Sequence, residues 1–507
     1  MITYLAALLA GLACMFAFAP YGWWPIQIVG MALVFHLIRR ETTVKRSFLI
    51  GWVYGFGWAV GGVHWLYTAM HRFGELPAPL AALAVGLMGL LLGVFAAIGL
   101  ASATWLRRRW ATTDAVFLIW LLPACWALSE WLRGWVLTGL PWVVSGYAHS
   151  NSPLAGYAAI IGVYGIGLLA ALCATGIAML PLKKWSVVLP LALFAGGWGL
   201  QQIDWTDSHG QPISVRLLQG NIAQDIKFSA THLDDSLTLY ARMIEAAPAD
   251  LIVIPETALP LFAHQLPDDY LPRLNRFAQQ SNSHLILGIP VADSPTRYTN
   301  SVIGMAPNAS AEQSAYRYDK HHLVPFGEYI PTGLRWFVQM MQIPLGDFTA
   351  GGALQAPFGV RDQWIMPNIC YEDLFGEQIA TQIAARHFAG QSDTSILLNV
   401  SNMAWYGESS AIPQHLQISQ MRALETGRPM LRSTNNGATV VISPHGELLA
   451  QLPFYSQGAL ATRVQGMTGL TPYIVLGNWL VVTLALLMLA ASWFFSRKNP
   501  GKRNKRT

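Results

Sequence analysis

Apolar residues are spread unevenly along this chain. Over the first two hundred positions they run almost unbroken, separated by short charged or Gly/Pro-rich joints. Such runs predict helices at residues 4–18, 25–38, 47–69, 79–106, 115–133, 155–180 and 185–200, and an eighth at 473–495. About twenty apolar residues are needed to cross a bilayer, so the first two are short for the task. The first run has no charged leader and other apolar runs follow it. It is therefore expected to stay as a helix rather than be removed as a signal peptide. Further on, the pattern changes. Short apolar runs at 215–219, 251–254, 285–289, 301–305, 363–366, 396–400, 430–433 and 439–442 predict strands. Amphipathic stretches at 233–246, 268–280, 377–388 and 414–426 predict helices between several of them. Strands alternating with helices predict a layered α/β domain. The expected organisation is a transmembrane helical bundle of about eight spans (residues 1–205 and 471–496), an α/β domain at 211–465 and a basic tail at 497–507. No internal repeat or low-complexity stretch is visible.

The composition supports that division. Of 507 residues, 53% are hydrophobic and only 12% are charged, too apolar a balance for an ordinary soluble enzyme. The net charge of +5 is not a nucleic-acid footprint, because the excess sits in clusters beside apolar runs. Arg39, Arg40, Lys45 and Arg46 follow the second run; Arg107, Arg108 and Arg109 follow the fourth; Lys183 and Lys184 follow the sixth. Arg497, Lys498, Lys502, Arg503, Lys505 and Arg506 follow the last. The alternate joints are poor in Lys and Arg. All the clusters thus fall on one side, the cytoplasmic one. The α/β domain is expected on the other side, the periplasm of a bacterium, with both termini cytoplasmic. Several joints on that side, 18–25 and 139–142 among them, carry the Trp and Tyr of an interfacial belt. Glu130 and Arg133 lie one turn apart near the end of the fifth run. Charges there are costly unless paired, so a structural ion pair is expected.

Cysteine usage narrows the chemistry. Cys14, Cys125 and Cys173 lie in apolar runs, and Cys370 stands alone in the α/β part. That part cannot form an internal disulfide, and an unpaired thiol outside the cytoplasm is a candidate reactive group. No CxxC or Cys/His ligand spacing is present. His321 and His322 are adjacent and point to opposite faces of an extended chain, so neither a metal nor another cofactor is expected. Cys370 ends a strand-like run and enters a turn. Glu256 ends the apolar run at 251–254. Lys320 sits in a short polar segment. Taken singly, these are a small buried hydrophobe, a loop carboxylate and a solvated amine. Taken together, they could serve as thiol nucleophile, proton acceptor and oxyanion partner.

Pro255-Glu256-Thr257, Asp319-Lys320-His321-His322-Leu323-Val324-Pro325-Phe326-Gly327-Glu328-Tyr329 and Cys370-Tyr371-Glu372, in that order, resemble the carbon–nitrogen hydrolase (nitrilase) superfamily. With the membrane runs on either side, they resemble its apolipoprotein N-acyltransferase family, over roughly residues 1–493. The resemblance implies an α-β-β-α sandwich with the active site at the strand ends. It implies that Cys370 is the nucleophile, Glu256 the general base and acid, and Lys320 the oxyanion partner. Glu328 is implied to position Lys320 or Cys370, and Tyr371 and Glu372 to shape the pocket. The implied reaction is ping-pong acyl transfer without a cofactor, at the bacterial inner membrane. The donor is a phospholipid and the acceptor is the α-amino group of the diacylglyceryl-cysteine of apolipoproteins. Two positions depart from the family pattern: Met403, where Asp is frequent, and Phe228, where Trp is frequent. The apolar segments 331–352 and 404–413 are candidate lids. A membrane-tethered hydrolase with water as acceptor and a transporter carrying an inert domain are the alternatives. Against the transporter stand few buried charges and no repeat.

Overall fold

The computed structural model describes residues 1–227, 233–308, 316–330 and 347–497. Two compact units emerge. One holds residues 1–67, 78–204 and those from 475 onward; the other holds residues 68–77 and 205–474.

The first unit is helical. Its longer helices are Ile2–Ala13, Pro25–Arg40, Val44–Val63, Ala78–Trp110, Asp114–Arg133, Pro153–Ala178, Val188–Leu200 and Trp479–Arg497. Four of them are long and apolar enough to cross a membrane: Ala78–Trp110, Asp114–Arg133, Pro153–Ala178 and Trp479–Arg497. Small residues let helices approach closely where no hydrophobic drive separates lipid from protein. Gly51 and Gly55 face Gly93 and Ala97 of Ala78–Trp110, and a Cβ added at Gly55 would lie 2.8 Å from the Gly93 Cα. Glu130 and Arg133 form no direct salt bridge, although each charge acts on the other. The Glu130 carboxylate instead accepts the Ser145 N–H at 2.8 Å, and Arg133 donates to the Trp142 carbonyl at 3.3 Å. Helix geometry makes i,i+3 pairing possible, but the irregular backbone that follows supplies a carbonyl at Trp142 and an N–H at Ser145 that bond the two charges.

The second unit is a sandwich of two sheets. Its strands are β1 Asp207–Gln219, β2 Leu251–Val253, β3 His284–Ser294, β4 Arg297–Met305, β5 Tyr316–Asp319, β6 Phe358–Val360, β7 Gln363–Ile369, β8 Ile396–Ser401, β9 Met430–Thr434, β10 Val440–Ile442, β11 Leu448–Gln451 and β12 Gly458–Thr468. One sheet runs β12-β1-β2-β3-β4-β5 and the other β11-β10-β9-β8-β7-β6. The central pairs β1–β2, β2–β3, β7–β8 and β8–β9 are parallel. Strand periodicity assigns the faces. Val215, Leu217, Leu251, Val253 and Ile286 meet Ile365, Ile369, Ile396, Leu398 and Val400 between the sheets. Leu218, Ile252, Ile254, Leu285 and Leu287 point outward, under the helices Leu233–Glu245 and Tyr270–Ser281. Gly376–Phe388 and Ala411–Thr426 supply the helices that follow β7 and β8. The nitrilase-like two-sheet architecture expected from the resemblance is present.

Four strands escaped the apolar pattern. β5 (Tyr-Arg-Tyr-Asp) and β11 are edge strands with half-exposed residues. β6 has three residues. β12 is long, but its Gly, Ala and Thr lower its contrast; it pairs antiparallel with β1 from Gly458 to Thr468. The 404–413 segment is a short turn, Ala404–Tyr406, leading into the helix at Ala411, and the Phe73 ring packs edge-on against Trp405. Phe228, most of the 331–352 segment and the tail beyond Arg497 lie outside the described residues.

Candidate active site

Three strand ends of the second unit carry the candidate residues. Cys370 follows β7 directly and opens the turn Cys370–Leu374. Its φ is +52°, a left-handed conformation that costs a non-glycine residue free energy and that the surroundings must impose. Three groups impose it. The Cys370 carbonyl accepts the Asn399 amide at 3.2 Å and His415 Nε2–H at 3.1 Å. Arg432 donates to His415 Nδ1 at 3.0 Å, which fixes the neutral tautomer with its proton on Nε2. Arg432 in turn pairs with buried Asp373 at 3.0 Å. Burial holds the His415 ring well below its ordinary pKa, and the Arg432 charge pushes the same way.

Glu372 fastens the turn from the other side. Its Oε2 accepts the Ile369 N–H at 2.6 Å and the Tyr318 hydroxyl at 3.0 Å. Its Oε1 accepts the N–H groups of His321 and His322 at 2.7 and 3.2 Å. One buried carboxylate thus ties the end of β7 to the chain just after Lys320. Tyr371 is buried, with its ring edge-on to Phe375. His322 stacks on Phe375, while His321 bonds the Gly351 carbonyl, so the two imidazoles diverge.

Glu256 lies three residues beyond β2, and Lys320 is the residue after β5. The Lys320 ammonium, 1% exposed, sits 3.4 Å from Glu256 Oε1 and 2.8 Å from Glu328 Oε1. Asn300, on β4, bridges the same two oxygens at 2.7 and 2.8 Å. The remaining oxygens are also held: Glu256 Oε2 accepts the Asn402 N–H at 2.9 Å, and Glu328 Oε2 accepts the Val324 N–H at 2.8 Å. Burial opposes the charge on Lys320, but Glu328 and Glu256 outweigh it and hold the ammonium well above its usual pKa. The cation is therefore permanent at any working pH.

The thiol behaves differently. Cys370 is partly buried. Burial first, and the Glu256 charge next, push its pKa well above the ordinary value, with Lys320 opposing them. The resting group is a thiol. A nucleophile of this kind needs a base that takes its proton as it attacks, since a standing thiolate is not available.

Lys320 contacts both Glu256 and Glu328, and the charges of all three act on Cys370. Glu372 and Tyr371 lie in the Cys370 turn itself rather than in the ion cluster. Sequence reasoning missed Asn300, Asn402, His415 and Arg432. Asn300 had one visible signal: Thr299-Asn300-Ser301 is a polar run inside an otherwise apolar strand. Asn402 stands beside Met403, one of the two positions that depart from the family pattern, but nothing marked its backbone N–H as a partner for Glu256.

Comparison with known proteins bears on the chain as a whole. Residues 10–176 match the family described as apolipoprotein N-acyltransferase N-terminal domain, and residues 214–473 match carbon-nitrogen hydrolase. A Ralstonia nicotianae protein named apolipoprotein N-acyltransferase is 45% identical over 497 residues, covering 96% of this chain and 92% of its own. A Nitrosomonas europaea protein of the same name is 42% identical, covering 96% of each. One from Vibrio parahaemolyticus is 32% identical and covers 97% of each. Among solved structures, an amidase from Nesterenkonia sp. is 18% identical with a TM-score of 0.36, covering 51% of this chain and 91% of its own. With both halves matched and full-length relatives this similar, the chain belongs to the apolipoprotein N-acyltransferase family.

Proposed function

We propose that this chain transfers an acyl group from a phospholipid, through a thioester on Cys370, to the α-amino group of a diacylglyceryl-cysteine at the N-terminus of an apolipoprotein. The observation that carries the reading is the Lys320 ammonium clamped between Glu256 and Glu328, its charge acting on a cysteine held in a left-handed turn. Family membership supports the substrate classes.

In the first half-reaction, the Cys370 Sγ attacks the ester carbonyl carbon while its proton passes to the Glu256 carboxylate. The oxyanion formed faces the Lys320 ammonium, assisted by a backbone N–H of the turn after Cys370. Collapse breaks the ester C–O bond. The departing lysophospholipid oxygen takes the proton from Glu256, leaving the thioester. In the second half, the acceptor amine attacks that carbonyl and gives a proton to Glu256. Collapse releases the amide, and the Cys370 sulfur recovers its proton. Glu256 serves as base and acid in each half. Glu328 holds Lys320 in place. Tyr371 and Glu372 keep the turn in position. Water must compete poorly at the thioester stage, and the aromatic 404–413 segment is suited to cover the site.

The membrane arrangement belongs to the same proposal. All eight apolar helices cross the bacterial inner membrane, the basic clusters stay in the cytoplasm with both termini, and residues 211–465 act in the periplasm.

The test is a two-substrate assay in detergent micelles with a synthetic diacylglyceryl-cysteine peptide and a phospholipid. Lysophospholipid release and peptide N-acylation should appear in equal amounts. Release of free fatty acid in place of acylated peptide would instead mark a hydrolase.

A further inference from the structure

The single helical turn Gln224–Lys227 after β1 delivers two side chains to the neighbourhood of Glu256. Gln224 Oε1 accepts the Asn402 Nδ2–H at 2.9 Å, and it is the Asn402 backbone N–H that holds Glu256 Oε2. Lys227 reaches the other end of the same residue. Its Nζ donates to the Thr257 hydroxyl at 2.8 Å and lies 3.5 Å from the Glu256 carbonyl oxygen. Lys227 is 1% exposed, so this amine has been brought fully out of water. Burying an amine is costly unless its hydrogen bonds return something. What they return here is conformational. Thr257 has φ +46°, a left-handed backbone that a β-branched side chain adopts only under compulsion. That turn sets the direction in which Glu256 leaves the strand. Burial lowers the Lys227 pKa to about 7 against the pull of the Glu256 charge, which fits a hydrogen-bonding clamp rather than a fixed cation.

We propose that Lys227 is a positioning residue for the reaction: by gripping the Thr257 hydroxyl and the Glu256 carbonyl it locks the left-handed turn that aims the Glu256 carboxylate. The inference rests on Glu256 acting as the base.

The experiment measures kcat and KM for N-acylation of a diacylglyceryl-cysteine peptide, with the rate of Cys370 acylation beside it, on full-length protein in micelles, for Lys227→Met, Thr257→Val, their double variant and Glu256→Gln. Thr257→Val removes the accepting hydroxyl and keeps the shape, so it tests the clamp even if Lys227→Met folds poorly. Each single variant should lose about tenfold in kcat with KM for phospholipid unchanged. The double variant should be no slower than Lys227→Met, because Lys227→Met already removes the hydrogen bond that Thr257→Val breaks. Wild-type kcat in Thr257→Val, losses that multiply in the double, or an effect confined to KM would overturn the proposal. If Glu256→Gln forms thioester at the wild-type rate, the assignment of the base itself fails. An inactive Glu256→Gln beside active clamp variants would remove only the role of Lys227.

Discussion

Replacing Lys320 by methionine removes the cation from between two carboxylates while keeping the length of the side chain. Two consequences follow from the geometry. The first is loss of the charged donor at the oxyanion, a change that typically costs about a hundred- to thousandfold in rate. The second comes from what is left behind. Glu256 Oε1 and Glu328 Oε1 both accept from one Asn300 nitrogen, at 2.7 and 2.8 Å, so they lie no more than about 5.5 Å apart. Two carboxylate charges at about 5 Å, with an effective dielectric of about 20, repel by roughly 3 kcal/mol. With no ammonium between them, that repulsion moves the Glu256 carboxylate off the position that takes the Cys370 proton, and a displacement of this kind can cost about a hundredfold on its own. The combined loss should exceed a thousandfold. The double variant Lys320→Met/Glu328→Gln removes the repulsion along with the cation. It should recover about tenfold relative to Lys320→Met alone, although it carries more changes. The assay is the rate of acyl attachment to Cys370, followed by intact mass. A Lys320→Met protein within tenfold of wild type, or a double variant slower than the single, would refute the reasoning.

Other outcomes follow from neighbouring contacts. His415 has a folded-state pKa well below the ordinary 6.5, so at acid pH the unfolded chain binds a proton that the folded one refuses. Its contribution is therefore complete above pH 6.5 and is lost below it, at up to about 1.4 kcal/mol per pH unit; chemical denaturation from pH 7.5 to 5.5 should show that slope reduced in His415→Gln. Glu372→Ala strands two or more buried donors at about 1–3 kcal/mol each, so the melting temperature should fall by several degrees and acylation with it. Gly55→Leu drives a side chain into the Gly93 backbone, where an added Cβ already lies 2.8 Å away, and overpacking of this kind costs about 1–3 kcal/mol; thermal unfolding in detergent should report it, while Gly86→Leu, with open space, should be neutral.

The parts of the fold that were legible in the sequence are those whose burial is two-sided. Residues 251–253 and 396–400 lie in parallel strands covered on both faces, so they appear as unbroken apolar runs. β5 and β12 are missed for the opposite reason: one is a four-residue edge, and the other presents Gly, Ala and Thr where larger apolar residues would have marked alternation. This matters for the site, because Lys320 follows the illegible β5: the residues offered it only as a lysine in a short polar segment, and the resemblance added its role. The supporting polar groups are harder still. Asn300, Asn402, His415 and Arg432 lie far apart in the chain, and each looks like an ordinary polar residue until the two sheets bring its partner within 3.5 Å. Glu130 and Arg133 show the same limit: spacing brought the two charges near each other, and the backbone groups at Trp142 and Ser145 that bond them were invisible in one dimension.

Intact mass spectrometry of the purified protein after incubation with phospholipid alone is the most direct measurement. The account predicts a mass increase of one acyl chain on wild-type protein, removed by neutral hydroxylamine, absent in Cys370→Ala and nearly absent in Glu256→Gln. A wild-type protein that stays unmodified, or a Cys370→Ala protein that gains the same mass, would contradict it.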